Sequence, residues 1–251
     1  MRTRQLGTFA RIFQGLFRII LKEWKGPQKF LLGLEYAKHC SPFFPIQSAK
    51  LLSALARGDG ARCSSLVLQM HGSRLLEDTL EVCRTLNLRP FLAWGTLLGH
   101  YREGGFIAHD YDIDLGLLET DFSQKTEIIQ LMSKKGHTVR SDNDYFISFY
   151  YHGFRNPYIE LQRFYWKNGQ MANSLALQHG DEIFTYYFPL DIFDEFLMAK
   201  FLGRFAVLVP AQTERFLTVA YGDWRTPQKH WDFLYGPLNL VREKKEEGKR
   251  V

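Results

Sequence analysis

The chain has 251 residues, of which 45% are hydrophobic and 24% are charged, and its formal net charge is +5. This composition is typical of a folded globular protein and excludes a disordered or collagen-like chain. Its three cysteines are widely spaced and form no CxxC pair, which argues against a disulfide framework or a zinc knuckle and favours a reducing compartment.

The positive charge is concentrated at the amino terminus. Residues 1–40 carry eight basic and two acidic side chains, a net charge of +6, so the other residues sum to −1. A nearly neutral body argues against a nucleic-acid groove built across the protein. The sequence therefore predicts no nucleic-acid partner and one basic segment that meets an anionic surface.

This basic leader has the periodicity of an amphipathic helix. Apolar residues recur every three or four positions from Leu6 to Trp24, and the basic residues lie away from them. Such a helix would make peripheral contact with a membrane through residues 1–30. The alternative is that the apolar stripe packs on the rest of the protein. Because no uninterrupted run of about 20 apolar residues is present, we expect a cytoplasmic protein, peripheral on the inner face of the membrane if the helix binds lipid.

The rest of the chain contains both helical and strand patterns. Prolines and glycines in residues 42–62 predict an irregular join, which completes an N-terminal extension over residues 1–62. Ser73 then precedes the apolar spacing of a helix of about four turns. The later predicted elements are a strand at 91–94, a helical turn at 95–102, a strand at 111–118, a helix at 122–135, strands at 145–151 and 158–166, and a helix at 213–221.

This mixture of elements predicts an α+β or α/β layered domain over residues 63–240. Residues 241–251 form a charged tail, which we expect to be solvated or frayed.

Three aspartates at strict two-residue spacing, Asp110, Asp112 and Asp114, stand out at the start of the predicted strand and just before it. On a strand they share one face, and their charges raise one another's pKa values unless a cation lies among them. Oxygen ligands favour Mg²⁺ or Mn²⁺. A calcium loop is excluded because its sixth and twelfth positions require Gly and Glu, where this chain has Leu115 and Asp121. Surface acids on an exposed edge strand are the alternative.

The residues before the aspartates are suited to a phosphate group. Gly95 ends a strand and opens a helix, which presents free N–H groups to an anion, and Thr96 adds a hydroxyl. Arg102 carries a guanidinium group that binds phosphate through two hydrogen bonds. These features predict a site for metal-assisted attack on the phosphate of a nucleotide. His100 and His109 flank the glycine loop at 104–105 and are weaker candidates for an acid or base.

Two blocks of this sequence resemble the signature of the LicD family, which includes bacterial phosphocholine transferases and fukutin-type glycan-modifying enzymes. The first block runs from Gly95 through Arg102 and Gly105 to Asp114, and the second runs from Tyr221 to Pro227. Together the blocks are specific to the family, whereas either block alone would be suggestive.

The resemblance, which spans residues 73–227, implies a nucleotidyltransferase-like α+β fold in which helices flank a mixed sheet and the leader forms an N-terminal helical extension. It also implies a metal motif made of Asp112, Asp114 and a third carboxylate from a neighbouring strand. We choose Glu160 as the third carboxylate, because it has apolar neighbours on both sides in a predicted strand. Asp191 is the competitor.

LicD-type enzymes transfer a phospho-alcohol group, such as phosphocholine or a polyol phosphate, from a CDP-activated donor to a glycan hydroxyl and release CMP. The resemblance implies the same reaction here, with Mg²⁺ or Mn²⁺ as cofactor, a CDP-linked donor and a cell-surface glycan acceptor. Asp110 or Glu160 would take the proton of the acceptor hydroxyl. The alternatives are a nucleotidyltransferase that releases pyrophosphate and a catalytically silent binding protein.

The substrate-binding residues that we predict come from both blocks. Tyr221 and Trp224 either pack beneath the last helix or stack on the cytosine ring of the donor. The full predicted set is Gly95, Thr96, Arg102, Gly105, Tyr221 and Trp224.

Overall fold

The computed structural model describes residues 45–154, 156–176, 182–228 and 239–244, together with positions 18, 22–25, 33, 36–37, 232, 236 and 237. Most of the predicted amphipathic leader lies outside the described residues. Its contact with a membrane therefore stays a prediction.

Helices and strands are interspersed along the described chain. The helices are α1 (Pro45–Ala56), α2 (Gly60–Thr85), α3 (Trp94–Glu103), α4 (Glu119–Phe122), α5 (Lys125–Lys134) and α6 (Thr213–Tyr221), with 3₁₀ helices at Tyr151–Gly153 and Leu190–Phe193. The strands are β1 (Phe91–Leu92), β2 (Asp112–Leu118), β3 (Thr138–Asp142), β4 (Phe146–Tyr150), β5 (Tyr158–Lys167), β6 (Gln170–Ala176), β7 (Glu182–Phe188), β8 (Phe196–Phe201), β9 (Phe205–Pro210) and β10 (Leu240–Lys244).

The strands of the described residues join one mixed sheet. Eight strands follow the order β10-β7-β6-β5-β2-β1-β9-β8, while β3 and β4 branch from β5. The pairs β2–β5 and β1–β9 are parallel, and the other neighbouring pairs are antiparallel. This mixed sheet flanked by helices confirms the predicted α+β fold.

The main hydrophobic core joins the helices to the sheet. Helix α2 contributes Leu75 and Leu76, and β2 contributes Ile113 and Leu115, all of them buried. Residues two apart on a strand share a face, so these two residues of β2 lie on the face opposite to the aspartates. Core packing thereby anchors the strand that carries the candidate site.

A smaller core cluster connects the leader to α1 and α2. Trp24 is 4% exposed, its indole N–H donates to the Leu55 carbonyl at 2.9 Å, and its ring centroid lies 5.8 Å from that of Tyr36. At Trp24, therefore, the apolar stripe packs on the protein, as the alternative interpretation predicts. In the described part of the chain, no helix has the length and apolar character needed to cross a membrane.

The predicted helix start at Ser73 is wrong, because α2 already begins at Gly60. Asp59 caps this earlier start, since its carboxylate accepts the Arg62 N–H at 2.9 Å. Ser73 lies in the interior of the helix, and the Ser-cap pattern was misleading at that position.

The predicted irregular join at 42–62 is also wrong over most of its length, because α1 occupies residues 45–56. Pro45 stands at the first position of α1, where its missing N–H is tolerated. Gly58, with φ of +66°, lies between the two helices. Pro45, Gly58 and Gly60 therefore mark helix ends and not a continuous loop.

The first residues of the predicted solvated tail belong to β10, which pairs with β7. The Glu243 carboxylate accepts hydrogen bonds from Lys167 at 2.6 Å, Tyr187 at 2.9 Å and Thr185 at 3.0 Å. These bonds hold Glu243 in the edge strand of the sheet. The prediction of a frayed tail, which rested on the run of charged residues, is therefore wrong at this position. The rest of the tail lies outside the described residues.

Candidate active site

Asp112 and Asp114 lie two residues apart on β2 and therefore share one face of the sheet. Asp110 lies two residues before the start of β2 and is not part of the strand, and its carboxyl group is hydrogen-bonded to that of Asp112. Oδ2 of Asp110 and Oδ2 of Asp114 lie 2.8 and 3.5 Å from the point that a Cβ atom at Gly95 would occupy. The acids thus converge beside Gly95.

The structure brings Glu160 to this cluster and leaves Asp191 out of it. Glu160 is the register partner of Asp114 in the parallel pair β5–β2. Its Oε1 accepts a hydrogen bond from Arg140 at 2.9 Å, which also forms an ion pair. Asp191 instead forms an ion pair with Arg215 of α6.

Burial and repulsion raise the pKa values of the acids in this cluster. Burial raises the pKa of Asp110 to about 8, and the charge of Asp112 adds to the shift. The same two causes raise the pKa of Glu160 to about 7, although Arg140 opposes them. Burial also raises the pKa of Asp112, and burial together with the neighbouring carboxylates raises that of Asp114. The cluster therefore holds negative charge at a high electrostatic cost.

This donor set fits a hard divalent cation. Carboxylate oxygens are the ligands that Mg²⁺ and Mn²⁺ prefer, and a cation among these acids would relieve their repulsion. The absence of a Cβ atom at Gly95 leaves space for the Asp110 and Asp114 carboxylates to approach each other. Asp112 and Asp114 would hold the ion.

The start of α3 binds Asp114. The Gly95 N–H donates to the Asp114 carboxylate, and Thr96 Oγ1 accepts the Asp114 N–H at 2.8 Å. Thr96 is only 1% exposed, so its predicted contact with a phosphate does not fit this geometry. The N-terminus of α3 therefore stabilises the carboxylate of Asp114, because helix N-termini stabilise anions.

A cavity of about 190 Å³ opens beside Asp110. It is lined by five of the residues that the sequence predicts for the site: Gly95, Arg102, Asp110, Tyr221 and Trp224. The other lining residues are Leu98, Ile107, His109, Asp223, Thr226, Pro227 and Gln228. Arg102 can therefore reach a phosphate group bound in this cavity.

Tyr221 and Trp224 form a wall of the cavity. Trp224 is 7% exposed, and its indole N–H donates to the Thr218 hydroxyl at 3.3 Å. Burial and the nearby aspartates raise the pKa of Tyr221, which keeps its hydroxyl neutral. Both residues are largely packed, in agreement with the first of their two predicted roles.

Gly105 lies outside the lining of the cavity. A Cβ atom there would be 2.4 Å from Leu202 Cδ2, so the glycine allows the loop before Asp110 to pack closely on the neighbouring hairpin. Its predicted contact with substrate has no support in this arrangement.

Three further residues around the acids were missed. Gln162 follows Glu160 by two positions on β5, so strand alternation could have indicated that it shares the same face. Trp94 bonds to Gln162 from the start of α3, and Arg140 reaches Glu160 from β3. No sequence signal predicts these last two contacts, because they depend on the order of strands in the sheet.

A second group of potential metal ligands lies away from this cavity. Ligand atoms of Asp78, His137 and His152 lie within 4.8 Å of one another. The His152 N–H donates to His137 Nδ1 at 3.4 Å, which assigns the proton of a neutral imidazole to Nε2, 3.3 Å from Asp78 Oδ2. Arg74 and Lys135 also contact Asp78, at 3.1 and 3.6 Å. Hydrogen bonds and the positive charges of Arg74 and Lys135 already compensate the negative charge of Asp78.

A mixed sheet with paired acids on one strand, beside a helix that begins next to a glycine, defines the protein as one with a nucleotidyltransferase-type domain. Residues 87–212, a little over half of the chain, match the family model described as LicD/FKTN/FKRP, nucleotidyltransferase domain. The chain belongs to this family.

Two relatives give the extent of the similarity. Ribitol-5-phosphate transferase FKTN of Mus musculus is 26% identical over 190 residues, which cover 72% of this chain and 39% of FKTN. Ribitol 5-phosphate transferase FKRP of Homo sapiens is 27% identical over 160 residues, which cover 59% of this chain and 31% of FKRP. The chain therefore spans well under half the length of these curated relatives.

Similarity to solved structures is weaker. The lincosamide antibiotic adenylyltransferase LnuA, bound to lincomycin, is 15% identical with a TM-score of 0.36, covering 57% of this chain and 83% of LnuA. The antibiotic-resistance factor ANT(2'')-Ia is 16% identical with a TM-score of 0.36, covering 56% of this chain and 65% of ANT(2'')-Ia.

Proposed function

We propose that this protein is a metal-dependent phosphotransferase. It moves a phospho-alcohol group, of the phosphocholine or polyol phosphate type, from a CDP-activated donor to a hydroxyl of a cell-surface glycan, and CMP is released. Membership of the LicD/FKTN/FKRP family supports this reaction class. The names of the relatives, ribitol-5-phosphate transferases, support a polyol phosphate in particular.

The observation that carries the proposal is the convergence of Asp110 and Asp114 at Gly95, which lines a cavity together with Asp110 and Arg102. The diphosphate of a CDP-linked donor is an anion, and Arg102 binds its non-bridging oxygens through charge-assisted hydrogen bonds. Mg²⁺ or Mn²⁺ held by Asp112 and Asp114 would neutralise the diphosphate and the charge that develops on the departing CMP. The apolar side of the cavity, with Leu98 and Trp224, excludes water from the donor.

Asp110 is the acid that we assign as the general base. It lines the cavity, and burial raises its pKa to about 8. A base must lie within hydrogen-bond reach of the hydroxyl proton that it takes, and a base with a pKa near the working pH is the most effective. Glu160 does not line the cavity and is bonded to Arg140, which favours Asp110 of the two predicted candidates.

We further propose that the protein binds the cytoplasmic face of a membrane through its basic leader and reaches its acceptor there. The net charge of +6 over residues 1–40 supports this location, because a basic amphipathic helix is attracted to anionic lipid. Since Trp24 is buried in the protein, the lipid contact is assigned to the residues before it. Anionic vesicles should retain the full chain and lose it after deletion of residues 1–17.

The test of the reaction is a panel of CDP-linked alcohols with Mg²⁺ and a glycan acceptor, with CMP as the measured product. We expect CMP from at least one polyol or choline donor, and an Asp112→Asn variant should lose on the order of 100-fold in rate. Asp144→Asn, a change at an exposed aspartate between β3 and β4, is the matched control and should leave the rate unchanged.

Two results would overturn the proposal. Pyrophosphate release from CTP without CMP from any CDP-linked alcohol would identify a nucleotidyltransferase. Tight binding of CDP without turnover of any donor would identify a binding protein.

A further inference from the structure

Gln162 connects the two carboxylates at the centre of the site. Its Nε2 donates to Asp114 Oδ1 at 3.1 Å and to Glu160 Oε2 at 3.3 Å. Its Oε1 accepts the Trp94 indole N–H at 2.7 Å. Because an indole N–H can only donate, this bond fixes which end of the amide faces the carboxylates.

Trp94 is itself held firmly in place. Its backbone φ is +43°, in the left-handed region that a bulky residue adopts only where its surroundings fix it. Its ring packs on those of Tyr186, Phe188 and Phe216, at centroid distances of 4.7, 5.6 and 5.9 Å. The indole N–H is thereby directed at Gln162.

Neither Trp94 nor Gln162 lines the cavity, so neither is placed to contact a ligand there. Asp114 is oriented at both of its carboxylate oxygens: Oδ1 accepts from Gln162, and Oδ2 lies on the side of Gly95 and Asp110. We propose that Gln162 is a positioning residue of the candidate active site. Trp94 holds Gln162 in place, and Gln162 binds Oδ1 of Asp114 so that Oδ2 is presented to the divalent cation. This inference rests on the proposed function, because the divalent cation belongs to that function.

The chemistry of an amide explains why a neutral residue stands here. Asp114 and Glu160 are neighbours across β2 and β5 and repel each other. One amide group donates to both carboxylates, which lowers their repulsion without adding a positive charge that would compete with the cation. A lysine or arginine at the same position would instead replace the ion.

The role of Glu160 changes as a result. One of its oxygens accepts from Arg140 and the other from Gln162, so both are engaged within the protein. The resemblance to LicD enzymes implies that Glu160 is a metal ligand, whereas its ion pair with Arg140 already supplies a positive charge and leaves it to support Gln162. The cation is then left to the aspartates.

The experiment measures Mn²⁺ affinity of the full chain, from the electron paramagnetic resonance signal of free Mn²⁺. Gln162→Met keeps the length of the side chain and removes its donors, while Trp94→Phe keeps an aromatic ring and removes the N–H. We expect each single change to weaken Mn²⁺ binding about 10-fold. The double variant should bind no more weakly than Gln162→Met alone, because Trp94 acts through Gln162.

Two exposed residues on neighbouring strands supply matched controls. Trp166→Phe on β5 and Gln170→Met on β6 repeat the same chemical changes at exposed positions, and they should leave the affinity for Mn²⁺ unchanged. Melting temperatures are recorded for every variant. If Gln162→Met fails to fold, Trp94→Phe still carries the test.

The outcomes separate this inference from the proposed function. Wild-type affinity in the single variants, or losses that multiply in the double variant, would overturn the role of Gln162 and leave the metal-dependent reaction standing. A wild-type chain that binds no Mn²⁺ would overturn both.

Discussion

Gly95 is a residue at which the addition of a single methyl group should disturb the candidate site. The carboxylates of Asp110 and Asp114 approach each other beside it, and its own N–H donates to Asp114. A glycine is needed there for space, because the point that a Cβ atom would occupy lies 2.8 Å from Asp110 Oδ2. Real Cβ atoms do not approach oxygen so closely, so the Asp110 carboxylate must move, whereas Asp114 Oδ2 at 3.5 Å is at an ordinary contact distance.

We therefore predict that Gly95→Ala lowers Mn²⁺ affinity and the rate of CMP release about 10-fold or more, with little change in melting temperature. Initial rates at saturating donor measure the effect. Gly60→Ala at the start of α2 is the control, because its added Cβ would lie 3.5 Å from the Trp24 ring, an ordinary contact. Wild-type activity in Gly95→Ala would show that the acids do not need to converge there.

The raised pKa values of Asp110 and Glu160 make the stability of the metal-free protein depend on pH. Burial and the charge of Asp112 raise the pKa of Asp110 from 3.8 to about 8 and that of Glu160 from 4.5 to about 7. Between pH 4 and 8, the folded protein keeps protons that the unfolded chain has released. A rise in pH therefore favours unfolding across this window.

We predict that these two acids lower the free energy of unfolding as the pH rises from about 5 to about 8 in EDTA, measured by urea denaturation. Asp112→Asn should flatten this decline, because it removes a charge that contributes to both shifts. Parallel curves for wild type and variant would contradict the electrostatic coupling. Saturating Mn²⁺ should stabilise the wild type more at pH 8 than at pH 6, because the aspartates must lose protons to bind it.

At the scale of elements, the parallel pairing of β2 and β5 decides which side chains meet. The sequence predicts both strands and the shared face of Asp112 and Asp114, because both follow from local alternation. It does not predict that Gln162 lies between Asp114 and Glu160, since that contact requires the register of two strands distant in the chain.

The region between β5 and α6 was not predicted at all, and β8 shows why. It is an edge strand in which the adjacent residues Leu197 and Met198 are both exposed. Its sequence therefore lacks the alternation of buried and exposed positions that indicates a strand. The hairpin with β9 forms through pairing that no local pattern reveals.

Helix α2 gives a prediction about a single cap. Asp59→Ala removes the acceptor of the Arg62 N–H and should lower the free energy of unfolding by about 1 kcal/mol. Urea denaturation at pH 7 measures the change, and Asp59→Asn, which keeps an acceptor, should stay close to wild type. An equal loss in both variants would show that the charge of Asp59, and not the capping bond, stabilises the helix.

At the scale of the whole molecule, opposite charges are kept in separate places. The leader carries a net charge of +6, whereas the rest of the chain sums to −1 and gathers several acids beside one cavity. The single charge of Arg102 does not balance these acids, so the site repels the diphosphate of a nucleotide unless a divalent cation joins it. Arg140 does not fill this need, because it is bonded to Glu160.

Calorimetric titration of CDP with and without Mn²⁺ tests this requirement most directly, with the wild type and an Asp112→Asn, Asp114→Asn double variant. We predict that the wild type binds CDP only when Mn²⁺ is present and that the double variant binds it in neither condition. Equal CDP binding by the wild type with and without Mn²⁺, or Mn²⁺-dependent binding that survives in the double variant, would contradict the assignment of these two aspartates to a divalent cation.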